Sequence, residues 1–275
     1  MYGRRKIRQW KGVTKIYMKK QSEHLGYQFY RSIGTPAFKL LYHPKILNAD
    51  RIPEDGPIIL CGNHLHVWDQ FPVVCATKRT IYWMSKKEYF EGRLAPFFKT
   101  SGCIPVDRQN NPTESKNIAI DCLNKGGAIG IFPEGTRNKF QVERIKYLQL
   151  EEMFNEIKVL MESNMINGQE GTKQFEYIEN CMIQTADRML MEKKNLEDRG
   201  FTVLEDDIIL PFKYGAVSMA QKTNAQIVPF AVIGDYTINN KNLTVSFGEP
   251  FYVKDSLEKA NAKLMESVRQ LIKSI

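Results

Sequence analysis

Short apolar runs alternate along the chain with stretches whose apolar residues recur every three or four positions. The runs at 57–61, 79–84, 103–106, 127–132, 227–233 and 243–247 predict strands, being short, rich in Ile, Val and aromatic residues and followed by turn formers. Helical spacing between them predicts helices over 69–77, 87–99, 112–125, 214–223 and 255–274. Pro112 marks the first turn of one of these, and Gly126-Gly127 lie just past its end. Strand and helix in alternation imply an α/β class domain: a mainly parallel sheet with helices on both faces.

Two stretches leave this pattern. Over 140–209 the apolar positions Val142, Ile145, Leu148, Met153, Ile157, Leu160 and Met161 keep helical spacing, and so do Phe175, Ile178, Met182, Met189 and Leu196, with a polar connection at Ser163 to Gly171. This predicts an inserted helical hairpin, serving either as a lid or spacer on its own domain or as a Met-rich contact surface. At the other end, Trp10, Val13, Ile16 and Tyr17 follow helical spacing among Arg4, Arg5, Lys6, Arg8, Lys11, Lys15, Lys19 and Lys20. A second apolar stretch from Tyr27 to Tyr42 is broken by Gly34 and Pro36. Cations on one face with Trp and aliphatics on the other suit a helix lying in a membrane interface. The alternative is a solvated basic tail followed by a helix docked on the domain. The expected division is a basic amphipathic helical membrane anchor over 1–45 and an α/β domain over 46–275 that carries the insert at 140–209.

Charge sharpens that division. The chain is +8 overall, but residues 1–45 carry eleven Lys/Arg against one Glu, whereas 140–209 carry eight basic and fifteen acidic residues. A basic head points to an anionic partner, phospholipid headgroups or nucleic acid, and the acidic insert should stay away from an anionic bilayer. No apolar run approaches the roughly 18 residues of a spanning helix. The five cysteines form no CxxC or Cys/His cluster, which predicts reduced thiols, with Cys61 and Cys103 in the core, and no zinc site.

The candidate chemistry follows the strands. Asn63-His64-Leu65-His66-Val67-Trp68-Asp69 comes directly after the first strand and holds a histidine and an aspartate five positions apart. Such a pair can supply a base and the carboxylate that orients it. Chance also supplies such pairs, and surface or capping roles are the alternative. Ser101-Gly102-Cys103-Ile104-Pro105-Val106-Asp107-Arg108 ends a strand in an acid and an arginine, and Phe132-Pro133-Glu134-Gly135-Thr136-Arg137 runs from a buried strand into a polar turn. In a parallel sheet the C-terminal strand ends line the ligand crevice, so His64, Arg108 and Arg137 could converge there.

These segments, together with Ile227-Val228-Pro229-Phe230, resemble the four ordered blocks of the PlsC-like glycerolipid acyltransferase family: NH-x4-D, G-x-x-x-V-D-R, F-P-E-G-T-R and a strand containing V-P. The resemblance covers about 45–140 and 210–250, and Phe212-Lys213-Tyr214-Gly215-Ala216 resumes the pattern about seventy residues after the third block. It implies a monotopic enzyme on the cytoplasmic face of the cell membrane. That enzyme would move a fatty acyl chain from a thioester, acyl-CoA or acyl-acyl carrier protein, to the sn-2 hydroxyl of lysophosphatidic acid, giving phosphatidic acid. His64 would be the general base and Asp69 its partner, the acceptor hydroxyl itself being the nucleophile. Arg108, Glu134, Gly135, Thr136 and Arg137 would form the acceptor site, with Lys86 near the reacting carbonyl. Asp107 would orient Arg108. His66 stands where the family often has a small polar residue, and a hydrogen bond at the helix start is its expected role. No metal, cofactor or nucleic acid is implied. The rival readings are another acceptor, such as glycerol 3-phosphate or a different lysophospholipid, and a nonenzymatic binder of anionic lipid.

Overall fold

The computed structural model describes residues 25–107, 112–138, 141–198, 208–239 and 241–275. The basic segment 1–24, with Trp10 and His24, and Arg108 therefore lie outside the described residues. Two compact units are formed, one by residues up to Arg137 together with Pro211–Ile275, the other by Asn138–Leu210.

The first unit is built on one eight-stranded sheet. Its strands are β1 (Lys45–Leu47), β2 (Ile58–Gly62), β3 (Ile81–Lys86), β4 (Ile104–Val106), β5 (Ala128–Ile131), β6 (Gln226–Ile233), β7 (Thr244–Phe247) and β8 (Phe251–Tyr252). They lie in the order β1-β7-β6-β2-β5-β3-β4, with β8 paired to the start of β6. β2 runs parallel to both its neighbours, β5 and β6, and β3 runs parallel to β4 and β5. β7 and β8 pair antiparallel with β6, and β1, parallel to β7, shares that reversed direction. The all-apolar β2 suits a central strand covered on both faces, and it is buried along its whole length.

Alternation along the strands sorts the two faces. Ile58 and Leu60 of β2, Ile81 and Trp83 of β3, and Val228, Phe230 and Val232 of β6 join one core with Tyr27, Tyr30, Phe38, Tyr42, Val73 and Val74. These last come from α1 (Leu25–Phe29), the turn Tyr30–Gly34, α2 (Thr35–Tyr42) and α3 (Gln70–Ala76). The opposite face is covered by α5 (Pro112–Asn124), α8 (Gly215–Thr223) and α9 (Leu257–Ser274), through buried Ala119, Leu123, Val217, Ala220, Leu264 and Val268. The sheet is thus mostly parallel and flanked by helices on both sides.

Three local differences from the sequence expectation have physical reasons. The stretch 25–42 stays helical through Gly34 and Pro36 because Tyr30–Gly34 widens into a π turn, in which the Thr35 N–H and Oγ1 both donate to the Tyr30 carbonyl. Pro36 itself sits in the first turn of α2, where a missing N–H costs little. The expected helix 87–99 is instead a 3-10 turn, Lys87–Phe90, and a separate α4, Ala95–Thr100, because Gly92 interrupts and Pro96 begins a new first turn. β1 crosses the expected boundary at 45/46 and pairs in parallel with β7. At three residues it is too short to show a period of two.

The second unit holds α6 (Gln141–Ile166) and α7 (Lys173–Asp198), which pack against each other. Half-buried Phe154, Ile157 and Met161 recur on one face of α6, and Phe175, Ile178, Met182 and Met189 on one face of α7. Val159, Leu160, Ile166, Tyr177, Leu190 and Met191 are exposed. Among the described residues no helix is long and apolar enough to cross a membrane.

Candidate active site

The site grows from the C-terminal end of β2. Asn63, fully buried, extends the β2–β6 ladder with its side chain: Nδ2 donates to the Val232 carbonyl at 2.8 Å and Oδ1 accepts from the Val232 N–H at 2.8 Å. A carboxamide is the side chain that can pair both ways with a peptide group. It fixes where the next residue, His64, leaves the sheet.

His64 is then held by three contacts. Its N–H donates to Glu134 Oε1 at 2.9 Å, from the turn after β5. Its ring lies on Phe132, centroids 4.1 Å apart and 12° from coplanar. Phe132 in turn stacks on Trp83, which lies over Gly130, where an added Cβ would come 2.5 Å from the indole. Its Nδ1 meets Asp69 Oδ2 at 2.8 Å, with the carboxylate wholly buried and a fifth of the imidazole exposed.

Asp69 stands at the start of α3, yet its carboxylate makes no helix cap. It turns back into its own loop, where Oδ2 also accepts the N–H groups of Leu65 at 2.6 Å and His66 at 2.8 Å. Oδ1 accepts the Tyr236 hydroxyl at 2.6 Å. With an acceptor-only carboxylate beside it, His64 donates from Nδ1 and presents Nε2 as its acceptor nitrogen. The x4 spacing is what lets one turn of loop wrap its own N–H groups around the aspartate.

Tyr236 follows β6, so the two parallel neighbours of β2 supply Glu134 on one side and Tyr236 on the other. Burial first, and then the charge of Asp69, push the Tyr236 phenol well above its ordinary range, which keeps it a neutral donor. Its ring stacks on His66 at 4.5 Å and is edged by Tyr42 and Trp68. His66 is thereby desolvated, which lowers its pKa; the charges of Arg137 and His64 act the same way and Asp69 opposes them. Its backbone N–H binds Asp69, and its Nδ1 accepts weakly from the Trp68 N–H at 3.4 Å.

The remaining expected residues are placed as follows. Gly135 takes φ +72°, a left-handed conformation that glycine adopts freely, and the Lys213 side chain crosses it so closely that an added Cβ would lie 2.9 Å from Nζ. Thr136 and Arg137 are exposed beyond that turn. Lys86 ends β3 and is exposed, whereas the adjacent Lys87 reaches Asp107 Oδ2 at 3.1 Å, and that contact raises the ammonium's pKa. Cys61 and Cys103 are buried thiols raised by desolvation, Cys103 to about 12. His64, Asp69, Glu134 and the Gly135–Arg137 turn are brought together at one rim. Tyr236, Asn63 and Phe132 belong to the same constellation, and no motif announces the first of them. Among the described residues no three His, Cys, Asp or Glu side chains gather as a metal site.

Comparison with known proteins places this rim in context. The family described as Acyltransferase matches residues 43–233. Over 100 residues the chain is 32% identical to a protein of Bacillus subtilis (strain 168) named 1-acyl-sn-glycerol-3-phosphate acyltransferase, a match covering 36% of this chain and 50% of that one. The chain thus spans about half the length of the curated relative it matches. The crystal structure of the 1-acyl-sn-glycerophosphate (LPA) acyltransferase PlsC from Thermotoga maritima is similar with a TM-score of 0.56 and 15% identity, covering 96% of this chain and 88% of that chain. At that identity the likeness concerns the fold.

Proposed function

Since the chain belongs to the PlsC-type acyltransferase family, whose members act on glycerolipid substrates, we propose that it transfers a fatty acyl chain from a thioester to the sn-2 hydroxyl of lysophosphatidic acid. The observation that carries this reading is the 2.8 Å contact between His64 Nδ1 and the buried Asp69 carboxylate, which leaves Nε2 free among the described residues. Nε2 takes the acceptor's hydroxyl proton as its oxygen attacks the thioester carbonyl. Asp69 stabilises the imidazolium that forms. The tetrahedral intermediate collapses by breaking the C–S bond, and the departing thiolate takes the proton back from His64. The products are phosphatidic acid and a free thiol, with no acyl-enzyme between them.

Arg137 binds the acceptor phosphate as a fork of donors, a role that the family resemblance gives to Arg108 as well. Gly135 keeps the turn thin enough for close approach, and Lys86 steadies charge near the carbonyl. The donor is acyl-CoA or acyl-acyl carrier protein. Leu25, Phe29, Ile33 and Leu40 leave an exposed apolar stripe on α1 and α2, and Trp68 of the His64 loop is exposed while packing edge-on against Tyr42 of α2. This stripe supports a monotopic membrane seat; the cytoplasmic face follows from the family resemblance, and the basic segment 1–24 would meet anionic headgroups there. In this reading the insert over 140–209 is a separable helical hairpin.

The test is acyl transfer to lysophosphatidic acid from both thioester donors, with and without liposomes, with glycerol 3-phosphate and a second lysophospholipid as rival acceptors. Highest kcat/KM for lysophosphatidic acid, raised by liposomes, is expected, together with a rise in its KM of about tenfold in Arg137→Lys. A preference for another acceptor would replace the substrate, and binding without transfer would replace the reaction.

A further inference from the structure

Tyr236 belongs to none of the sequence blocks that carry the resemblance, yet its hydroxyl makes a 2.6 Å bond to the same carboxylate that holds the His64 ring. The two oxygens of Asp69 divide their work: Oδ2 serves the loop N–H groups and His64, and Oδ1 serves Tyr236. We infer that Tyr236 is a positioning residue of the acyl transfer, whose hydroxyl orients Asp69 toward His64 and sets how strongly that carboxylate supports the imidazole as a base. This rests on the reading of His64 as the base.

The physical argument concerns charge. A phenol donating to Oδ1 draws negative charge away from Oδ2, so the carboxylate supports an imidazolium less than it would alone. The bond is fixed by packing on all sides: the phenol ring stacks on His66 and is edged by Phe38, Tyr42 and Trp68. The loop behind it is tied to α2 by the Asn239 N–H, which donates to the Leu41 carbonyl at 2.9 Å. The titratable groups around the pair are His66 on the same loop, Glu134 and Arg137 from the turn after β5, and Tyr30 and Tyr42 from the N-terminal helices. Tyr236 alone of these donates to Asp69 from another element by a side chain among the described contacts.

The experiment compares the full-length wild type, Tyr236→Phe and a protein with 3-fluorotyrosine at position 236. Two readouts are taken: the pH profile of kcat/KM, and the imidazole titration of His64 by NMR in histidine-labelled protein. Losing the hydroxyl should move the acidic limb and the His64 titration to higher pH by about half a unit or more, and the more acidic fluorophenol should move both the other way. Opposite shifts in the two variants are not produced by altered packing. A His64 titration unmoved in both variants overturns the inference, whether or not acyl transfer depends on His64. Full turnover in His64→Ala overturns the base assignment instead, and the two failures are told apart.

Discussion

The imidazole of His64 lies flat on the ring of Phe132, 4.1 Å away, with Phe132 itself flat on Trp83 at 5.1 Å. Three stacked rings, Trp83 within β3 and the other two just past the ends of β2 and β5, thus fix the plane of the base, while Asp69 fixes its rotation within that plane. The stack forms because β5 places a glycine, Gly130, under the indole, and β2, β5 and β3 are consecutive neighbours in the sheet.

Phe132→Leu keeps the volume apolar and removes the flat platform. Turnover with saturating substrates should fall roughly ten- to a hundredfold, because small displacements of a catalytic group are costly, while the thermal midpoint moves little. Steady-state kinetics beside a melting curve checks this.

Asn63→Ala strips both bonds from Val232 inside the core. A buried N–H and carbonyl then go unpaired, at a cost of about 2–3 kcal/mol in unfolding free energy. Urea denaturation of wild type and variant reads the difference.

His66 gives stability a pH dependence. Burial holds its folded pKa below the unfolded value near 6.5, so between those values the unfolded chain binds the extra proton. Its contribution is complete above about 6.5 and is lost as pH falls through that window. The drop in urea midpoint from pH 7.5 to pH 5.5 should therefore be smaller in His66→Gln than in the wild type.

The Lys213 N–H donates to the Pro133 carbonyl at 2.9 Å, so the chain leaves the first unit and returns to it at nearly the same place. Deleting 142–205 leaves that closure intact and shortens a loop whose closing entropy depends only weakly on length. The shortened protein should fold and unfold cooperatively. Insoluble or unfolded protein would show instead that the two helices are needed by the sheet.

Most of the sheet could be read from the sequence because its central strands are unbroken apolar runs, and the six expected strands appear within two residues of their predicted limits. β1 and β8 escaped notice since three and two residues carry no periodicity. His64, Asp69 and the Glu134–Arg137 turn stand out through the ordered blocks that carry the family resemblance, the His-x4-Asp spacing alone being common by chance. The Glu134 carboxylate accepts the His64 N–H, a contact that spans seventy positions and that no local pattern shows. Tyr236 was illegible for the same reason: a lone tyrosine after a strand signals nothing until β6 is known to lie beside β2.

The most direct test of the central claim is the rate of acyl transfer to lysophosphatidic acid by His64→Ala, measured beside wild type on the same liposomes with the same thioester. The account predicts a loss of about a thousandfold in kcat, with liposome binding and cooperative unfolding retained. Wild-type turnover in that variant would contradict it.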